Sequence, residues 1–373
     1  MAEFDAVVAG YAGVDLAPEF PLGLAELPLA QLLRPGSLTE VGPLEITPGG
    51  VVPNTGLAMN RFGCRVALQG LVGQDALGDI LLGLLDGHGA TVNLRRTSAA
   101  GTAYGVVIAP PGTDRAFLEY PGCNAIFTAS DVDFDLVAQS RLFHFGYPPL
   151  MPAMLADDGA ELVSMFRQVR ALGVTTSLDM TLPDPQGASA GVDWRRLLTN
   201  VLPHVSIFVP SLEELLAMLA PEEWGRVAGA DDPVEAIPAA LTEQLAEDAM
   251  AMGAAIVLIK AGCRGGLLCT AAAPEIAAAT SLVEPAVWAS QKVWVEPWPV
   301  DETKMVNACG AGDAAVAGFL TAVLNREKPA QAASLAMLAG RDSLYGVDTT
   351  SGLRDWETMR GDAIAMNDND GTG

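Results

Sequence analysis

The densest grouping of chemically useful residues is Asn307-Ala-Cys-Gly310-Ala311-Gly312-Asp313-Ala-Ala-Val-Ala-Gly318-Phe319. Two glycines and an alanine form a tight turn that opens straight into a helix of small residues. The first amides of a helix lack partners within it, and the helix dipole favours negative charge there. Gly310, Ala311 and Gly312 therefore offer an anion hole. A carboxylate in that turn, Asp313, would repel a phosphate that merely rests there. It becomes useful where a phosphoryl group is transferred: it accepts the proton of an attacking hydroxyl while the amides stabilise the phosphoryl charge. Two blander readings share these residues. Asp313 could simply cap the helix. Gly310, Gly312 and Ala315 also match a dinucleotide fingerprint, but that motif belongs after the first strand of a βαβ unit, not in the last fifth of a chain.

Three further groups stand along the chain. In Gly49-Gly50-Val-Val-Pro-Asn54, the glycine pair permits close approach of backbone to a ligand, and Asn54 carries both a donor and an acceptor suited to a polyol. By itself the group reads better as a loop with helix caps and no ligand; spaced glycines follow at Gly63, Gly73 and Gly78. Lys260-Ala-Gly262-Cys-Arg-Gly265 closes a strand and reads as a hairpin turn or as a loop touching nucleotide phosphate. Ser211-Leu-Glu-Glu214 has the spacing of a capping box, and Glu214 could equally reach Mg²⁺ through water.

The elements that must position these residues alternate short β-rich runs with helical ones. Strands are expected at 4–10, 65–72, 141–145, 174–178, 205–209 and 254–259. Helices are expected at 54–62, 76–87, 159–172, from 211, at 238–252 and at 314–325. This alternation predicts an α/β fold with a mostly parallel central sheet flanked by helices, in which ligands bind at the carboxyl ends of the strands. Two segments interrupt it. Residues 16–47 are rich in Pro, Leu and Gly, and residues 102–121 read as a hairpin around Pro-Pro-Gly-Thr-Asp. Together they would form a small β lid inserted into a main domain of residues 1–15, 48–101 and 122–360. Residues 361–373 read as a flexible tail, and the Ala-rich stretch 271–290 gives no clear pattern.

Composition sets the outer limits. The chain has 373 residues, of which half are hydrophobic, so a large core is available. A formal net charge of −24 argues against nucleic acid or a lipid surface as a partner. No stretch of about 18 apolar residues runs uninterrupted, so no membrane span is read, and the acidic start does not resemble a secretory leader. Five cysteines form no CxxC pair, which suits a reducing, cytoplasmic setting. The three histidines lie far apart and give no zinc spacing.

Taken in order, these motifs resemble the ribokinase-like (PfkB) carbohydrate kinase family over about residues 4–345. Gly310-Ala311-Gly312-Asp313 and the trailing Ala317-Gly318-Phe319 fit its D-T-x-G-A-G-D element; Gly49, Gly50, Asn54, Gly63 and Gly73 fit its amino-terminal one. The resemblance implies a ribokinase-like fold and ATP with Mg²⁺ as cofactors. It implies Asp313 as catalytic base and residues 310–312 as anion hole. Asp15, with Gly49, Gly50 and Asn54, would bind the sugar; Lys260, Gly262 and Gly265 would touch the nucleotide; Glu214 would lie near the metal. It also implies a small-molecule sugar or sugar-like substrate and a homodimer formed through the lid. Departures are Asn307 and Ala308 in place of Asp-Thr, Ser211 in place of the Asn of N-x-x-E, Lys260 in place of a Thr, and Pro53 and Gly56 in the amino-terminal element. The loss of charge at Asn307 points to weak potassium dependence. A non-catalytic sugar- or nucleoside-binding relative is the alternative these departures suggest.

Overall fold

The computed structural model describes residues 2–21, 23, 29–111, 116–230 and 232–370. Its larger sheet has nine strands: β1 (Phe4–Gly10), β4 (Val66–Gly73), β5 (Thr91–Thr97), β8 (Ser140–Gly146), β9 (Thr175–Leu178), β10 (Ile207–Phe208), β11 (Ile256–Lys260), β12 (Gly266–Thr270) and β13 (Lys292–Val295). Their order is β13-β12-β11-β10-β9-β8-β1-β4-β5. Pairing is parallel from β5 through β11, and β12 pairs antiparallel with both β11 and β13. Buried on both faces, β1, β4, β8 and β11 are near-continuous apolar runs rather than alternating ones.

The principal helices on this sheet are α1 (Val51–Arg61), α2 (Ala76–Leu85), α3 (Pro152–Ala171), α4 (Leu212–Leu219), α5 (Ala239–Ala251), α6 (Ala311–Leu324), α7 (Pro329–Ser343) and α8 (Trp356–Asp370). Helix α6 is buried on every side from Asp313 to Leu324. Its small residues let α7 approach closely: a Cβ at Gly318 would lie 2.8 Å from the Ala339 Cβ and from the Leu335 carbonyl.

A second sheet of four strands, ordered β3-β2-β6-β7, sits apart from the first: β2 (Gly13–Pro18), β3 (Leu44–Gly49), β6 (Ala103–Ile108) and β7 (Ala116–Tyr120). The hairpin read at 102–121 is formed, with Tyr104 opposite Tyr120 and Ile108 opposite Ala116, although most of its turn lies outside the described residues. The segments read as a lid supply this sheet, whose strands β2 and β3 reach a little beyond 16–47.

Several boundaries differ from expectation. Helix α1 starts at Val51, not Asn54, because Gly50 in the left-handed region (φ 88°) turns the chain early and Pro53 is tolerated in the first turn. In α3, residues 156–159 are non-helical, and the regular helix follows Gly159, as the sequence pattern suggested. Of residues 361–373, read as a flexible tail, 361–370 continue α8 and 371–373 lie outside the described residues. The Ala-rich stretch holds two short helices, Ala273–Ala279 and Pro285–Trp288.

Candidate active site

Asp313 is the third residue of α6, and the N-cap is Gly310, left-handed at φ 77°. The capping reading of Asp313 is thereby replaced: its carboxylate turns across to other elements. Asn54 Nδ2 donates to its Oδ2 at 2.9 Å, and the Tyr147 hydroxyl donates to the same oxygen at 2.7 Å. The Thr55 hydroxyl donates to Oδ1 at 3.2 Å. The residue is 2% exposed. Burial raises its pKa, and the donors Tyr147, Asn54 and Thr55, with Lys260 nearby, only partly offset that rise. A carboxyl shifted upward in this way is better matched to taking a proton near neutral pH.

Each partner is placed by local structure. Asn54 and Thr55 stand side by side in the first turns of α1. Tyr147 follows β8 in the left-handed region (φ 65°), a costly conformation for a bulky residue, and Pro148-Pro149 come immediately after it. Sequence reasoning missed both Tyr147 and Thr55. The one cue was position: a tyrosine just beyond the carboxyl end of a parallel strand, where such sheets bind ligands.

The turn read as an anion hole opens toward β11 at Gly312. A Cβ on Gly312 would meet, beyond its own helix, only the Lys260 Nζ, 3.7 Å away. Lys260 ends β11, is buried, and places Nζ 2.8 Å from Asp179 Oδ1. Burial works to lower its pKa, but Asp179, Glu214 and Asp313 outweigh that and hold it above its ordinary value. Burial raises Asp179 and Lys260 opposes it, while Glu214 and Asp313 add to the rise. Asp179, one residue past β9, was not singled out in the sequence.

Glu214 is tied back as a cap. Its Oε2 accepts from Ser211 N at 2.7 Å, and Ser211 Oγ accepts from Glu214 N at 3.2 Å. Gly262 and Gly265 form the turn between β11 and β12, with φ of 48° and 78°. Among the described residues, no group of three or more His, Cys, Asp and Glu side chains is arranged to hold a metal.

The second sheet contributes the other wall. Asp15, on β2, lies in a notch between two glycines: a Cβ at Gly49 would come 2.5 Å from its Oδ1, and one at Gly105 would come 3.0 Å from it. Burial, then the charge of Asp313, raises its pKa to about 6. Glu119, an exposed residue of β7, accepts from the Tyr11 hydroxyl at 2.6 Å. A small cavity of about 50 Å³ lies between the second sheet, the start of α1 and the segments 307–309 and 347–349, lined by Asp15, Glu45, Thr47, Asn54, Asn307 and Asp348 among others. Asn54 thus faces this cavity and touches Asp313 at once. Gly50 closes the corner, where a Cβ would meet Tyr11 at 2.7 Å. Asn307 serves locally: its Oδ1 accepts from Cys309 N at 2.9 Å, and its Nδ2 donates to the Val347 carbonyl at 3.0 Å.

Residues 24–344 match the model for pfkB family carbohydrate kinases. The chain belongs to that family. Fructokinase-2 of Solanum habrochaites is 30% identical over 113 residues, covering 30% of this chain and 34% of that protein. The Arabidopsis thaliana protein named probable fructokinase-6, chloroplastic, is 27% identical over 192 residues, covering 50% and 48%. The chain therefore spans between a third and a half of the length of these curated relatives. The structure of Arabidopsis thaliana ribokinase, complexed with ribose and ATP, superposes with a TM-score of 0.71 over 97% of this chain and 99% of that one, at 17% identity. The fold is ribokinase-like. The family membership agrees with the resemblance carried by Gly310–Asp313 and by Gly49–Asn54, and the nine-stranded sheet agrees with the α/β reading. No helix among the described residues is long and apolar enough to cross a membrane.

Proposed function

We propose that this protein transfers the terminal phosphoryl group of ATP to a hydroxyl of a sugar or sugar-like polyol. The observation that carries the reading is the buried Asp313 carboxylate, held by Asn54, Thr55 and Tyr147 at the opening of α6, where the N-cap Gly310 is left-handed. In the reaction, the acceptor oxygen forms a bond to phosphorus, the bond from phosphorus to the bridging oxygen of the leaving ADP breaks, and the hydroxyl proton passes to Asp313. The amides at 310–312 oppose the charge on the phosphoryl oxygens. Asp15 and Asn54 bind substrate hydroxyls, Gly49 and Gly50 let the chain close on them, and Gly262, Gly265 and Lys260 meet the nucleotide.

The residues present suit a metal delivered with the triphosphate rather than one held by the protein alone. Magnesium would neutralise phosphate charge, and Glu214 is the residue to reach it through water. Three of the cavity-lining residues, Asp15, Glu45 and Asp348, are carboxylates, and no Lys or Arg lines it among the described residues. This supports a neutral substrate over a phosphorylated or carboxylate-bearing sugar. The loss of an anionic contact at Asn307 supports a potassium effect on kcat below about threefold. Exposed Leu118 and Tyr120 on β7 support a homodimer through the lid, which light scattering would register as twice the chain mass. The deciding experiment measures ADP release with MgATP across a panel of neutral sugars and nucleosides. Turnover with at least one supports the reading. Tight sugar binding without turnover would favour a non-catalytic binder.

A further inference from the structure

An ion pair at the opening of α6 joins Lys260, proposed above to meet the nucleotide, to Asp179, which has no part in the chemistry described so far. Lys260 Nζ and Asp179 Oδ1 stand 2.8 Å apart, both side chains at most 10% exposed. The pair is rigidly built. Lys260 N donates to the Pro210 carbonyl at 2.9 Å, and the residue bridges to Ser211 in parallel fashion. Asp179 N donates to the Phe145 carbonyl at 3.0 Å. Around them face Glu214 from α4, Asp313 from α6 and His144 from β8; His144 is fully buried and donates no positive charge, its pKa pushed down to about 3 by burial and by Lys260. Taking two opposite charges out of water costs several kcal/mol per ion, and such a pair is often no more stabilising than apolar side chains in its place. Stability therefore does not account for it. Its position does: the ammonium is the nearest atom outside α6 to the open side of Gly312.

We propose that Asp179 is a positioning residue that holds Lys260 at the mouth of α6 and yields it to the terminal phosphate of the bound triphosphate. This rests on the kinase reading above and extends it by one residue and one division of labour. Without nucleotide, the Asp179 carboxylate occupies the ammonium as a resident anion. With nucleotide, the ammonium has two anionic neighbours, and the more highly charged phosphate draws it upward while Asp179 keeps it charged and aimed. Lys260 then reads whether a third phosphate is present, so the site favours ATP over ADP before any chemistry. A lysine serves phosphate as a point charge, which suits a contact that must follow a moving phosphoryl group.

The test uses the full chain and three variants: Lys260→Met, Asp179→Asn and the double substitution. Each single variant leaves one buried charge unpaired and lowers Tm; the double variant removes both charges and regains it. Calorimetry with Mg²⁺ compares ADP with a non-hydrolysable ATP analogue, and needs no turnover. The wild type should prefer the triphosphate by about tenfold or more. Lys260→Met and the double variant should bind the two equally. Asp179→Asn should keep a preference. In turnover with the sugar found active, Lys260→Met and the double variant should lose kcat equally, by about 10²–10³, with the sugar KM little changed. Asp179→Asn alone should cost about tenfold, and nothing further when Lys260 is already absent. A double variant that regains Tm together with wild-type kcat and wild-type triphosphate preference would overturn the proposal, as would a wild type indifferent to the third phosphate. A wild type that prefers the triphosphate in this Lys260-dependent manner, yet phosphorylates no sugar, would sink the kinase reading and leave the phosphate contact standing.

Discussion

Asp313 gathers three donors on a buried carboxylate, and each has a measurable consequence. Replacing it by Asn keeps shape and hydrogen-bonding capacity but removes the proton acceptor. Asp313→Asn should therefore lower kcat by roughly 10²–10⁴ with nucleotide and sugar affinities little altered; near-wild-type turnover in a folded variant would remove Asp313 from its role. Tyr147 lowers the Asp313 pKa by donating to Oδ2. Tyr147→Phe should move the acid limb of the kcat profile to higher pH and cost less than Asp313→Asn. Asp15 gives the opposite kind of experiment. Its folded pKa, near 6, lies above the unfolded value near 3.8, so the native state binds more protons between those values and stability falls as pH rises through that window. Asp15→Asn should then stabilise the fold at pH 8 by about 1–3 kcal/mol, from burial of the charge no longer incurred, while raising the sugar KM by roughly tenfold. Loss of both stability and binding would show instead that Asp15 is a structural contact.

At the scale of elements, the turn into α6 is the feature most legible in the sequence, because a Gly-Ala-Gly turn before small residues has few other uses. The parallel strands were legible for a similar reason: β1, β4, β8 and β11 are apolar runs of the length that a doubly covered sheet requires. What was not legible depended on contacts between elements distant along the chain. Tyr147 and Asp313 lie 166 positions apart, and Lys260 and Asp179 lie 81 apart. No local spacing encodes either pair, and only the sheet order places them together. The start of α1 was misread because Asn54 is a common cap, whereas the positive φ of Gly50 began the helix earlier. Helix α6 also supplies a test of the anion hole. Gly312 is helical and open toward Lys260, so Gly312→Val adds an isopropyl group where the phosphate is proposed to sit. It should depress kcat at least tenfold, with MgATP affinity falling and sugar affinity held. An unchanged kcat would place the phosphate elsewhere.

For the whole molecule, charge is the property that no single residue reveals. A chain of net charge −24 surrounds its substrates with a negative field, and MgATP, itself an anion, must approach through it. In the site proposed above the attraction is local: Lys260 and the amides of α6 would act at contact distance, inside the molecule, where salt screens little. The repulsion is long-range and acts in solvent, where the Debye length shrinks from about 30 Å at 0.01 M salt to about 8 Å at 0.15 M. Raising choline chloride across that range should therefore weaken the repulsion more than the attraction. The KM for MgATP should fall by about two- to threefold, through faster association. A neutral sugar crosses the same field without work, so its KM should stay constant over the same titration. Were the KM for MgATP to rise with salt instead, the nucleotide would be entering through a positively charged surface, and the binding edge proposed at Lys260, Gly262 and Gly265 would be the wrong one.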